Sequence, residues 1–204
     1  MSKNHWTIVA VGLWFCSLLL VSSCGIRIDG WPQAKYERTV RQQVSLARGS
    51  TVVAETSFGS VDVAGADVTD CNVIATICAG APTEEEAQEL AEQVKITLEP
   101  TDETLTVGAE KPHLKRNRSI SISYSITVPT QTGANCRSSY GSLDFVAPPD
   151  FAGQVELRTS YGSIKTALPV TVTGEISKKA IKGTIGQGEG KLDLQTRSGS
   201  IHLK

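Results

Sequence analysis

A large excess of charge of one sign is missing from this chain. Its 20 Lys and Arg face 21 Asp and Glu, a net of −1. There is no electrostatic case for nucleic acid, and only a weak one for an acidic polymer. Histidine is scarce at three residues, and only His113 and His202 lie beyond residue 23. Neither has a recognisable partner in the sequence, and no Ser/His/Asp arrangement stands out. No apolar run reaches the roughly 20 residues of a membrane-spanning helix; the run Ile8 to Val21 is shorter. A phosphate cradle is absent too. Gly186-Gln187-Gly188-Glu189-Gly190 lacks the expected Lys and sits between strand-like stretches, so it predicts a turn. No cofactor or metal is expected. Aromatics make up only 5% of the chain, while Gly, Ser, Thr and Val are abundant. That balance points to many short strands joined by tight turns.

Cysteine is present in an odd pattern. Beyond Cys24 the chain has Cys71, Cys78 and Cys136, so at most one disulfide can form among those three. Cys71 and Cys78 are seven apart in a strand-like stretch and would face opposite sides, which makes them a poor pair. Cys136 is left free to pair with either. The spacing matches no zinc pattern, and buried small cysteines are the expected outcome.

The N-terminus carries a signal. A short positive start with Lys3, the apolar run, and then Leu20-Val21-Ser22-Ser23-Cys24-Gly25 resemble a bacterial lipoprotein signal peptide. The resemblance implies cleavage after Ser23 and acylation of Cys24, with two or more acyl chains giving a stable anchor. Gly25, rather than Asp, implies delivery to the outer membrane. Without residues 1–23 the chain loses Lys3, so 19 basic face 21 acidic residues and the net becomes −2. The expected organisation is a signal peptide over 1–23, a lipidated N-terminus and tether over 24–38, and one domain over 39–204.

A short phrase organises that domain. Phe58-Gly59-Ser60-Val61-Asp62-Val63 returns as Tyr140-Gly141-Ser142-Leu143-Asp144-Phe145 and as Tyr161-Gly162-Ser163-Ile164-Lys165-Thr166. Weaker copies are Lys182-Gly183-Thr184-Ile185 and Ser198-Gly199-Ser200-Ile201-His202-Leu203. Each unit predicts strand, Gly corner, strand, and stacked units bury what one alone cannot. The predicted class is all-β, a β-solenoid of stacked coils with one short α-helix over about residues 83–95. Thr83-Glu84-Glu85-Glu86 is the capping box of that helix, and Ala87, Leu90, Ala91 and Val94 form its apolar stripe. Ser119 to Val128 alternates strictly and predicts a half-buried strand. Thr104–Val107 is its expected partner, with Lys111–Arg118 as the connecting loop. The Ile201–Leu203 strand is expected to end the stack with an open edge.

Taken in order, these motifs resemble a bacterial family of putative-adhesin domains: the Gly-Ser corner, the Thr-Glu-Glu helix, the alternating strand ending at Val128-Pro129, and the Gly-containing coils. The resemblance covers about residues 38–204. It implies a β-solenoid outside the cytoplasm and brings no catalytic residues. The expected protein is a non-enzymatic, lipid-anchored component of the cell envelope. Its partners would be the membrane, through the lipid, and a glycan or an envelope protein. A periplasmic sensor that binds another protein and a carbohydrate-active β-helix enzyme are the alternatives.

Three groups of residues merit a place in such a role. Phe58, Tyr140 and Tyr161 share one repeat position. Stacked coils would set Tyr140 beside Tyr161; the rings would pack the corner or, if exposed, stack on sugar rings. Asp62 and Asp144 share another position and should point outward, with Lys165 and His202 in the same slot elsewhere; a solvated face is expected. Lys111, His113, Lys115, Arg116 and Arg118 form a local basic patch, which a soluble loop explains without a ligand. Asn117-Arg118-Ser119 matches a glycosylation sequon and is discounted in a bacterial protein.

Overall fold

The structure is a computed structural model that describes residues 34–47, 49–173 and 177–204. Cys24 and the signal segment lie outside the described residues. The first strand, β1 (Ala34–Ser45), pairs antiparallel with β4 (Asp70–Ala81) from its first residue, Ala34 opposite Ala81. The end of the expected tether, residues 34–38, therefore belongs to a sheet. Its alternation of half-buried and exposed positions is carried by Tyr36, Arg38, Val40, Gln42 and Val44, a mixed apolar and polar face that hides the strand period.

One kind of corner occurs four times in the chain. Strand β2 (Thr51–Phe58) turns at Gly59 into β3 (Val61–Ala66), and β8 (Gly133–Tyr140) turns at Gly141 into β9 (Leu143–Val146). Likewise β10 (Gly153–Tyr161) leads to β11 (Ile164–Thr166), and β14 (Gly190–Ser198) to β15 (Ile201–Leu203). Strands before the corners join one sheet and strands after them the other. The β6 (Thr104–Glu110) and β7 (Ser119–Pro129) pair is divided in the same way. With β5 (Lys95–Pro100), β12 (Thr171–Val172) and β13 (Ala180–Ile185) added, the first sheet runs β1-β4-β7-β3-β9-β15-β11 and the second β12-β13-β10-β14-β8-β2-β6-β5. Both sheets mix parallel and antiparallel pairs. Inward residues at every second position (Val52, Ala54, Val61, Val63, Leu143, Phe145, Leu192, Leu194, Ile201) fill a common core, as a period of two requires.

The order in space is not the order in sequence. The last corner unit, β14/β15, inserts between β8/β9 and β10/β11. Ile201–Leu203 thus lies between two strands, and β11 is the edge that the first sheet leaves open at this end. The copy at Gly183 is no corner: it lies within β13, antiparallel to β10. Strand β6 also departs from expectation. It pairs parallel with β2 and antiparallel with β5, in the other sheet from β7, so residues 111–118 cross between sheets. The alternation of β7 itself is as expected, with Ile120, Ile122, Tyr124, Ile126 and Val128 buried.

The helix α1 spans Glu84–Glu92, and the Thr83 side chain accepts the Glu86 N–H at 3.3 Å. Leu90, Ala91 and Val94 join the core, packing α1 against β1 and β4. Glu86 forms a partly exposed ion pair with Arg118 at 3.1 Å, which engages one member of the local basic patch. Cys71 and Cys136 are buried, Cys78 is half-buried, and all three are free thiols. Cys71 and Cys78 face opposite sides of β4, as the spacing requires.

Candidate functional site

The corners are built from a side-chain pattern as well as from glycine. Three residues before each corner Gly stands Thr56, Ser138, Thr159 or Thr196. All four are buried, and a buried hydroxyl needs a partner. Three donate to the corner Gly carbonyl of the neighbouring unit, Ser138 Oγ to Gly59 O at 3.1 Å, Thr196 Oγ1 to Gly141 O at 2.9 Å and Thr159 Oγ1 to Gly199 O at 2.9 Å, and Thr56 Oγ1 donates to Ile122 O of β7 at 3.0 Å. In the reverse direction the Gly59 N–H donates to Tyr140 O at 2.9 Å, Gly141 to Ser198 at 3.0 Å and Gly199 to Tyr161 at 3.0 Å. The ladder is continuous round the bend. Sequence reasoning missed this hydroxyl row. Its signal was legible as Thr or Ser, any residue, then Phe, Tyr or Ser before Gly.

Two residues after the hydroxyl, three of the four units carry an aromatic. Phe58, Tyr140 and Tyr161 are 51%, 49% and 70% exposed, so they do not pack the corner. Phe58 and Tyr140 stack with centroids 5.1 Å apart and planes 7° from parallel. Tyr140 and Tyr161 are not neighbours, because Ser198 of the inserted β14 stands between them in register. The result is a row of two stacked rings, a gap and a third ring. Lys179 Nζ lies 5.7 Å from the Tyr161 centroid, within cation–π range.

Beside this row the outer face of the second sheet is hollowed into a groove of about 1120 Å³. It crosses six neighbouring strands, from Gly108 on β6 to Ala180 on β13. In-register pairing sets Glu55, Arg137, Gln195 and Arg158 in one row across it. The row nearer the corner carries Ser57, Ser139, Arg197 and Ser160, each directly before the aromatic-row position. Lys111 and Lys179 stand at the two ends. Burial pushes the Lys111 ammonium below its ordinary value. Arg137 meets Glu55 at 3.5 Å, with both side chains at least half exposed; such a pair contributes about 0–1 kcal/mol. Arg158 pairs with Glu156, which also meets Lys182 at 3.6 Å. Of the basic patch seen in the sequence, only Lys111 reaches the groove.

The carboxylates lie on the other sheet. Asp62, Asp144, His202 and Lys165 occupy adjacent in-register positions on β3, β9, β15 and β11. Here His202 does have a partner: its Nδ1 is 3.1 Å from Asp144 Oδ1, and Lys204 Nζ meets the same oxygen at 3.0 Å. The residues are 58 and 60 apart in sequence, which is why no local motif showed them. Burial, then the charge of Asp144, raises the Asp62 carboxyl above its ordinary value, and Lys204 partly offsets this. Among the described residues no cluster of His, Cys, Asp and Glu has the makings of a metal site.

No family model and no curated protein matches the chain. Among solved structures it is similar to a putative cell adhesion protein from Clostridium sporogenes, at 9% identity and a TM-score of 0.39, over 82% of this chain and 99% of that one. It is also similar to a putative adhesin from Parabacteroides distasonis (12% identity, TM-score 0.38, 81% of this chain and 56% of that one). A third is a putative adhesin from Parabacteroides merdae (12%, 0.34, 78% and 52%). The chain spans about half the length of the two Parabacteroides proteins.

Proposed function

We propose that this chain is a lipid-anchored, non-catalytic binding protein of the bacterial outer membrane, with a β-solenoid-like domain whose second sheet binds a glycan. The observation that carries the reading is the row of three exposed rings, Phe58, Tyr140 and Tyr161, beside a hydroxyl-lined groove. Ring faces offer flat apolar area at small entropic cost, and Ser57, Ser139, Ser160 and Gln195 supply hydrogen-bonding groups alongside. Anchoring rests on the signal ending at Cys24. The test of binding is titration of the full chain with a panel of polysaccharides. Tyr140→Ala and Tyr161→Ala should each weaken the best ligand about tenfold, about 1.4 kcal/mol; unchanged affinity in both would sink the reading. Loss of incorporated radiolabelled palmitate in Cys24→Ala tests the anchor. Protease shaving of intact cells, with permeabilised cells as control, separates surface from periplasm.

The Asp144–His202 contact favours a second reading, a carbohydrate-active enzyme. It lies on the sheet opposite the groove, so a substrate bound among the rings would not meet it. Cleavage of any glycan in the panel, abolished by Asp144→Asn, would establish the enzyme. Co-purification of one defined envelope protein in place of glycan binding would favour a sensor.

A further inference from the structure

We infer that the groove takes an anionic polysaccharide, one bearing carboxylate or sulfate groups along its length; this rests on the glycan-binding reading above. Five cations, Lys111, Arg137, Arg158, Lys179 and Arg197, line the groove against one carboxylate, Glu55. They come from five separate points of the chain, which as a whole is almost neutral. The concentration of positive charge is a product of the fold, not of composition. Among the described residues Lys111 and Arg197 have no salt-bridge partner, and Arg137 is held only by its exposed contact with Glu55. These groups are free to turn to a ligand.

The pattern argues for a sugar polymer over other polyanions. Arg137 and Arg158 flank Gln195 in register, so their strands are two spacings apart, about 10 Å. Arg197 lies between Ser139 and Ser160 in the next row. Cations thus alternate with hydroxyl and amide groups, matching a chain in which charged groups alternate with hydroxyls. Guanidinium forks suit carboxylate or sulfate by paired hydrogen bonds. The groove crosses six strands, a path of about 24 Å at about 4.8 Å per strand, long enough for several residues of an extended polymer. Lys179 links the cationic rows to the aromatic row through Tyr161.

The experiment is calorimetric titration of the full chain with polygalacturonate, neutral dextran and a thymidine oligonucleotide, at low and high salt. Polygalacturonate should bind, weaken about tenfold or more between about 0.05 and 0.5 M salt, and bind at least about tenfold less tightly to Arg137→Gln/Arg158→Gln/Arg197→Gln. The thermal unfolding of that variant should match the parent, since all three side chains are exposed. Equal binding of dextran, untouched by the triple substitution, would overturn the anionic assignment and leave the glycan reading standing. An oligonucleotide bound as tightly as polygalacturonate would overturn it as well, by showing a site for any polyanion. Failure of both polysaccharides to bind would instead remove the glycan reading beneath it.

Discussion

Glycine at the corners is fixed by a neighbour that is distant in sequence. A Cβ on Gly141 would stand 1.9 Å from Gly59 O, and its φ is 156°. On Gly59 it would meet Ile122 O at 2.1 Å, and on Gly199 it would meet Gly141 O at 2.1 Å. Backbone cannot yield as a flexible side chain can, so Gly141→Ala should cost about 3 kcal/mol or more in urea unfolding. The buried thiols give a second prediction at this scale. Burial pushes Cys71 up to about 11 and Cys136 up to about 12 from an ordinary 9.0. The native state therefore holds these protons after the unfolded chain has released them. Their contribution to stability is complete below about pH 9 and is lost as pH rises through 11 and then 12. The midpoint of thermal unfolding should fall steeply above pH 9, and less steeply in Cys136→Ala.

At the scale of elements, α1 depends on β1, whose first residues, 34–38, were expected to be tether. The last turn of the helix carries no basic residue. Arg38 of β1 supplies the cation instead, donating from Nη1 to Ala91 O at 3.1 Å and to Val94 O at 3.2 Å. It adds a charged donor to Ala91 O, which also accepts the Val94 N–H, and opposes the negative end of the helix dipole. Arg38→Ala should lower stability by about 1–3 kcal/mol, read from the urea midpoint, and Arg38→Lys by less. The start of α1 was legible because Thr83 and Glu86 act within one turn. β7 was legible because its period is local. The placement of β6 was not. A short alternating strand before a loop looks like one arm of a hairpin, and nothing in Thr104–Val107 shows that its partner is Thr51–Ala54.

At the scale of the whole molecule, the inserted β14/β15 unit makes the array cooperative. In a stack laid down in sequence order, the last unit would peel away with little harm. Here its removal separates β8/β9 from β10/β11 and exposes a backbone edge on each side. Deletion of residues 190–204 should therefore abolish cooperative unfolding of the whole domain, followed by circular dichroism; survival of a sharp transition would show that the remaining units pair without it. The same insertion separates Tyr140 from Tyr161 and brings Arg197 between Ser139 and Ser160. The geometry of the candidate site is thus set by strand order.

The sequence by itself determined what local physics controls: an alternating strand, a capped helix, Gly corners, cysteines on opposite faces, and the repeat positions of Phe58, Tyr140 and Tyr161. Tertiary structure decided which units are neighbours, and with that the exposure of the rings, the Asp144–His202 contact and the cationic groove. The reason is that strand pairing is made by backbone groups, which are the same in every unit. Each corner can stack on any other by its own hydrogen bonds, and the choice is made by packing summed over the core. Charges spread singly over five segments appear neutral until that choice brings them into one groove.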